Sequence, residues 1–357
     1  MKKTILHFIY DLGRGGAETM LVKVLKELPE YENIVVTLYD NNQFGKELSC
    51  DRFICLRQRS LFFFPLTAFT LRKLIKKYRV NLVHTHLFWP TIIARMATPR
   101  HVTLVTTIHA FIATSVEYKK WFIRLLDKCT YRLRRSVVIG VAKGATAEYF
   151  SFLKIKPYRS YSIYTFADTA VFSQETVNKK KEHGPFRVIS VGALRLQKNH
   201  RFLVDAFRLL KTDNIQLDIY GEGPLRKELQ EQISLSGVAI NLKGMATNMH
   251  EILPQYDLFV MSSTFEGFSL GVLETMAMKV PMLLSDIVSF REQCDDTAVF
   301  FSLQDTREFA QKLKTLADNP EQRRQLSEKA YARVMENFTL AHHMKQLKQV
   351  YSENIEQ

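Results

Sequence analysis

The 357 residues, 46% of them apolar and 24% charged, suffice for two domains with separate cores. The longest apolar run, Leu61 to Leu71, falls far short of the ~20 residues of a membrane-spanning helix. Four cysteines (Cys50, Cys55, Cys129, Cys294) form no CxxC pair, so neither a disulfide framework nor a zinc site is expected from them, and a reduced, cytoplasmic protein is.

The net charge of +14 is lopsided. Residues 1–170 hold 27 lysines and arginines against 12 acids, whereas residues 171–357 hold 23 against 24. Two clusters carry the excess: "LRKLIKKYR" (Leu71 to Arg79), next to a Phe-rich run, and "KKWFIRLLDKCTYRLRR" (Lys119 to Arg135). Cations interleaved with Phe and Trp suit an anionic membrane surface, at ~1 kcal/mol per cation near it; a solvated basic face fits the same charge. No nucleic-acid-binding signature accompanies the charge, and no nucleic-acid partner is expected.

In chain order, "KTILHFIYD" reads as a strand, "LGRGG" as a loop and "AETMLVKVLKEL" as a helix. Asp11 and the glycines cut the first apolar run too early for a signal peptide. Strand "NIVVTLYD", helix "LTAFTLRKLIKKY", strand "VNLVHTH", helix "WPTIIARMA", strand "VTLVTTIHA", helix "WFIRLLDKCTYRLRR" and strand "SVVIGVA" follow. After the polar stretch Ser173 to Pro185 the rhythm restarts with "FRVISVG" and runs through "IQLDIYG", a helix begun by Pro224, "AINLKG", "DLFVMSS", "SLGVLETMAM", "PMLLSD" and "AVFF" to a helical tail. The expected architecture is α/β: a Rossmann-like domain over 1–170, a linker over 171–185 and a second Rossmann-like domain over 186–340. A final helix over 341–357 is free to pack back on the first domain. Ligands of such sheets bind beyond the carboxyl ends of strands, and the cleft between two domains is the natural site.

Four loops at strand ends stand out. Gly15 and Gly16 lead into the first helix, where free N–H groups favour an anion, although Glu18 occupies the place of the third glycine of GxGxxG; a plain tight turn explains these glycines too. In "SVGALRLQKNH", Gly192 precedes Arg195 and Lys198, two cations suited to a diphosphate or to open solvent. "YGEGPLRKEL" brings Gly221 and Gly223 to the same sheet edge. "STFEGFSLGVLETMAM" places Glu266 and Glu274 on either side of Gly267, Phe268, Ser269, Leu270 and Gly271. In one continuous helix the two acids would stand ~80° apart around the axis, so a shared target requires Glu266 before the helix. The amides of Ser269, Leu270 and Gly271 are then ready for an anion, with carboxylates for hydroxyls on either side. His84, His86 and His109 end first-domain strands. No carboxylate or cysteine stands at a spacing that would complete a zinc site with them, and no metal is expected.

At these residues the chain resembles the retaining glycosyltransferases of family four, which have the GT-B fold of two Rossmann-like domains facing across a cleft. "DLFVMSSTFEGFSLGVLETMAMKVPMLLSDIVSFRE" resembles the block carrying the family's E-x7-E motif. "VGALRLQKNH", "YGEGPLRKEL" and "IYTFADTAVF" resemble three further blocks, and "GRGGAET" resembles the donor loop of members that build bacterial surface polysaccharides. The resemblance implies a donor site of Gly15, Gly16, Gly192, Arg195, Lys198, Gly221, Gly223 and Glu266 through Gly271 with Glu274. Glu266 would hold donor-sugar hydroxyls, Glu274 the ribose and Lys198 the diphosphate, with His86 or His109 near the reacting carbon. Where the family carries arginine after the glycine of the second loop this chain has Ala193, which leaves Arg195 as the candidate substitute. The implied function is hexosyl transfer from a UDP- or GDP-sugar, without a cofactor or metal. The acceptor would be a glycan or polyprenyl-diphosphate-linked sugar at the inner membrane face, in capsule, O-antigen or exopolysaccharide synthesis. A nucleotide-sugar 2-epimerase of the same fold and a non-enzymatic anion-binding protein are the alternatives.

Overall fold

The computed structural model describes residues 2–58, 60, 63–113, 117–172, 184–210 and 214–355. The chain divides into two compact units, Met1–Thr165 with Ala341–Gln357, and Phe166–Leu340. Most of the expected linker (173–183) and the start of the Phe-rich run (Leu61, Phe62) lie outside the described residues.

The first unit runs β1 (Thr4–Ile9), α1 (Gly16–Lys26), β2 (Glu32–Thr37), β3 (Arg52–Cys55), α2 (Phe64–Lys77), β4 (Leu82–His86), α3 (Phe88–Ala97) and β5 (Thr103–Ile108). It continues with α4 (Trp121–Leu133), β6 (Val137–Gly140), α5 (Lys143–Leu153) and β7 (Arg159–Ser162). Its seven strands pair in the order β3-β2-β1-β4-β5-β6-β7, all parallel. Residues alternate between faces as the pleat requires. Leu6 and Phe8 of β1 pack with Ile34, Val36, Ile75 and Ile93, while Ile9 packs with Leu21, Val22 and Val35. A sheet covered by helices on both faces needs apolar residues at nearly every strand position, and that is why these strands read as continuous runs.

The second unit repeats the plan: β8 (Phe186–Val191), α6 (His200–Phe207), β9 (Ile215–Tyr220), α7 (Arg226–Ser236), β10 (Ile240–Gly244), α8 (Met249–Ile252) and β11 (Leu258–Met261). Next come α9 (Leu270–Ala277), β12 (Met282–Ser285), α10 (Val288–Cys294), β13 (Val299–Phe301), α11 (Thr306–Asp318) and α12 (Pro320–Asn337). The strand order is β10-β9-β8-β11-β12-β13, again parallel. The last helix, α13 (Leu340–Ile355), belongs almost wholly to the first unit. There Tyr351 reaches His84, and the Asn354 carbonyl accepts from Thr103.

Four elements were not expected from the sequence: β3, β7, α5 and α10. The two strands are sheet edges, "RFIC" and "RSYS", half-exposed and so without the apolar run that marks a central strand. Helix α7 starts at Arg226, two residues after Pro224, because Pro224 and Leu225 lie in a turn.

Candidate active site

In the second sheet β8 and β11 are neighbours, and their chain connections leave in opposite directions, to β9 and to β12. This is the switch point at which the loops beyond the strands part and leave room for a ligand. The loop after β8 carries Gly192 to Asn199, and the loop after β11 carries Ser262 to Ser269. The Thr264 amide donates to the Gln197 carbonyl at 2.9 Å. Gln197 Nε2 donates to the Phe265 carbonyl at 2.9 Å, and Ser262 Oγ donates to the carbonyls of Lys198 and Asn199 at 3.0 Å each.

Inside this frame Lys198 Nζ lies 2.6 Å from Glu266 Oε1, with the two side chains only 18% and 9% exposed. Ser263 Oγ donates to the same oxygen at 2.6 Å, and Ser285 Oγ from β12 holds the Ser263 carbonyl at 2.6 Å. An ion pair this shielded is strong, yet its ammonium keeps donors for a second anion. His200, buried two residues on, has its pKa pushed down to about 4 by burial and by the Lys198 charge.

The glycines shape this site by letting backbones touch. A Cβ on Gly192 would stand 3.0 Å from Lys198 Cε, so the bare glycine lets the lysine stem cross the loop. Gly221 has φ +148°, and a Cβ there would lie 2.0 Å from the Gly192 carbonyl oxygen; one on Gly223 would lie 2.5 Å from that of Leu194. Gly221 and Gly223 therefore seat the third loop against the second.

Glu266 lies in the loop and Glu274, half-buried, lies in α9. The helix begins at Leu270 with Ser269 as its N-cap, and no side chain caps it. One of the three amides expected to face an anion is already engaged: Ser269 N donates to Gln293 Oε1 at 3.1 Å, and Gln293 Nε2 returns a bond to the Ser269 carbonyl at 2.8 Å. Leu270 and Gly271 supply the first amides without an intrahelical acceptor. Gly267 completes the loop, and Phe268 is buried edge-on against Phe338 at 5.1 Å. Arg195 is exposed, and its backbone carbonyl accepts from the Lys198 amide at 3.1 Å.

The remaining candidates belong to the first unit. Gly15 caps α1 and Gly16 is its first residue. The Glu18 carboxylate folds back there, for a Cβ on Gly15 would stand 2.3 Å from Glu18 Oε2. Burial pushes the Glu18 pKa up. His86 closes β4, and its Nδ1 lies 3.1 Å from Nε2 of His109, just beyond β5. Burial pushes the His109 pKa down to about 3, aided by His343. His109, Tyr10, Trp89, Phe111 and Tyr118 line a cavity of about 490 Å³.

Sequence reasoning missed Ser263, Gln197 and Gln293, which hold the site in shape, and His7 and His343, which join the histidines. An isolated Ser or Gln carries no spacing signal; only the strand-end position of Ser262 and Ser263 hinted at a role.

A model for glycosyl transferases group 1 matches residues 172–333, and a model for glycosyltransferase family 4 matches residues 14–171. The chain is 26% identical over 342 residues to the N-acetylgalactosamine-N,N'-diacetylbacillosaminyl-diphospho-undecaprenol 4-alpha-N-acetylgalactosaminyltransferase of Campylobacter jejuni, covering 91% of this chain and 93% of that protein. It is 27% identical over 244 residues to the Escherichia coli UDP-Gal:alpha-D-GlcNAc-diphosphoundecaprenol alpha-1,3-galactosyltransferase, covering 61% of each. The crystal structure of Anabaena HepE in complex with UDP superposes with a TM-score of 0.84 at 16% identity, over 98% of this chain and 100% of that one. With both halves matched and the GT-B fold shared, this chain belongs to the family-four, group 1 glycosyltransferases of the bacterial surface-polysaccharide type.

Proposed function

We propose that this glycosyltransferase moves a hexosyl unit, with retention at the anomeric carbon and without a catalytic metal, from a UDP- or GDP-sugar to a polyprenyl-diphosphate-linked sugar. The Lys198–Glu266–Ser263 cluster at the switch point carries the reading. Lys198, with the α9 N-terminus, would stabilise charge developing on the departing diphosphate, the electrostatic share of catalysis. Glu266 Oε1 already accepts two short bonds, which makes it a weak nucleophile. A holding role on sugar hydroxyls, rather than the covalent role of a glycosidase carboxylate, follows. Glu274 would hold the ribose, and His109, neutral at pH 7, would offer a hydrogen bond near the reacting carbon without adding charge. The UDP in the HepE complex and the undecaprenyl-linked acceptors named for the two relatives support the substrate classes.

Binding at an anionic membrane surface is part of the proposal. Helix α3 packs against both α2 and α4. The outward sides of that layer carry Phe63, Leu66 and Phe69, then Trp121, Phe122, Leu125 and Leu133, all exposed. Lys73, Lys76, Lys77, Lys128 and Arg132 stand among them, a pattern suited to headgroups. Arg134 is not of this set: its guanidinium donates to the Val102 carbonyl at 2.7 Å and holds the fold. Among the described residues no helix is long and apolar enough to cross a membrane.

A thermal-shift screen of nucleotide sugars, followed by transfer to an undecaprenyl-diphosphate-linked acetamido sugar, tests the reading. NMR of the product should show the donor's anomeric configuration kept. Inversion, or conversion of the donor without acceptor as in an epimerase, would defeat it. Vesicle flotation tests the membrane part: exchanging Lys73, Lys76, Lys77 and Lys128 for serine should abolish binding to anionic vesicles.

A further inference from the structure

On the α1 side of the first sheet three imidazoles converge: His7, which the sequence did not single out, joins His84 and His86. His7 of β1 lies in register with His84 of β4, and His86 is two residues further along the same face. All three are buried, and one ring nitrogen of each lies within 4.8 Å of one from both others. The space they line, with His343 and apolar side chains of α1 and α13, is about 10 Å³, the room of a single small occupant.

The surrounding hydrogen bonds determine where the protons are. Asn33 turns its Nδ2 hydrogens onto the carbonyls of Leu28 at 2.8 Å and Tyr31 at 3.3 Å. Its Oδ1 therefore faces His7 Nε2, at 3.3 Å, as an acceptor. Nε2 of His7 carries the hydrogen, and Nδ1 is left as a bare lone pair, buried and without a partner. His86 spends Nδ1 on His109, and its Nε2 is likewise buried and without a partner. His84 meets hydroxyls at both nitrogens, Tyr351 at 2.6 Å and Thr107 at 2.7 Å, and either hydroxyl can turn away. Burial pushes the pKa of His7 down to about 4 and those of His84 and His86 well below the ordinary histidine value. At neutral pH no extra proton fills the gap.

We propose that His7, His84 and His86 form a binding site for one imidazole-preferring transition-metal ion, Zn²⁺ in the first instance. Three neutral nitrogens, each with its other ring nitrogen in a hydrogen bond, match the outer-shell pattern of histidine metal ligands. At Zn–N distances of about 2.0–2.1 Å tetrahedral ligands stand roughly 3.4 Å apart, so the rings draw inward on binding. With no carboxylate or thiolate among the ligands, the site binds more weakly than a cysteine site. The ion ties β1 to β4 beneath α1 and α13. It also holds the His86 hydrogen on Nδ1, so that His86 donates to His109 Nε2. It is structural, separate from the diphosphate chemistry proposed above, and does not rest on that reading.

Equilibrium dialysis of the full chain against Zn²⁺, then against Co²⁺ as an optical probe, tests the site. One ion per chain is expected, with a raised Tm and the visible absorption of cobalt in a nitrogen-rich tetrahedral shell. His7→Gln and His86→Gln should each lose the ion, while a His101→Gln change at the surface should keep it. Wild-type protein that takes up neither metal, holding only a trapped water, would overturn the proposal. So would full uptake by both variants. Should the variants not fold, the wild-type cobalt spectrum decides alone: bands without nitrogen ligation, or none, reject the site.

Discussion

Lys198 Nζ and Glu266 Oε1 stand 2.6 Å apart although 68 positions separate the residues in the chain. Each is held by backbone contacts between the two loops that carry them, so the pair acts as one unit. Lys198→Ala and Glu266→Gln should each lower kcat/KM by about 10²–10³-fold, the usual cost of a lost electrostatic group. Because they act together, the double variant should be little worse than the poorer single one. Initial rates at varied donor concentration check this; multiplicative losses would separate the two roles. Lys198→Ala should also lower Tm more than Glu266→Gln, since it strands a shielded carboxylate.

The glycines of the site divide into two kinds. At Gly221 an added methyl meets the Gly192 carbonyl at 2.0 Å, at φ +148°. Gly221→Ala should cost about 2–3 kcal/mol and displace Lys198. At Gly271 the nearest atom to an added Cβ is Met261 Cε at 3.7 Å. Gly271→Ala should leave stability unchanged or raise it by up to about 1 kcal/mol. Donor affinity, read by calorimetry, should fall there if phosphate approaches the helix start.

His200 makes the second unit sensitive to acid. Its folded pKa, about 4, lies below the ordinary value of 6.5 because burial and Lys198 disfavour the charged ring. A depressed pKa means that the unfolded chain takes the proton first as pH falls. Stability is whole above pH 6.5 and declines toward pH 4 at up to about 1.4 kcal/mol per unit. In denaturant melts from pH 7.5 to 4.5, His200→Phe should remove the share of the slope due to His200 and leave that of the buried first-unit histidines, His7 and His109 among them.

A buried polar network joins α3, α4 and α5 of the first unit. Arg95 Nη1 meets Asp127 Oδ1 at 2.5 Å with side chains 0% and 3% exposed. Tyr149 donates to the same carboxylate at 2.9 Å, and Tyr118 donates to its other oxygen. Asp127→Ala leaves a buried guanidinium uncompensated and should cost about 3–5 kcal/mol. Replacing Arg95 and Asp127 together by Met and Leu should recover much of the loss, as measured by urea unfolding.

Legibility followed burial. Central strands such as β11 (Leu258–Met261) were readable because both faces are covered, which leaves an unbroken apolar run. The edge strands β3 and β7 were not, for they owe their conformation to a neighbour's hydrogen bonds. Glu266, Lys198 and the strand-end glycines were legible because chemistry-bearing residues stood out between strand and helix. Ser263, Gln197 and Gln293 were not, since a hydroxyl or amide says nothing of its partner until the partner is in place.

By itself the sequence determined the doubled α/β plan, the loops that end its strands and the family they belong to, because periodicity and motif spacing are local along the chain. Only the tertiary structure decided that Lys198 pairs with Glu266, that Gln293 engages Ser269, and that His7 joins His84 and His86. Those meetings depend on which strands become neighbours, β8 with β11 and β1 with β4, and strand order comes from the packing of the whole sheet.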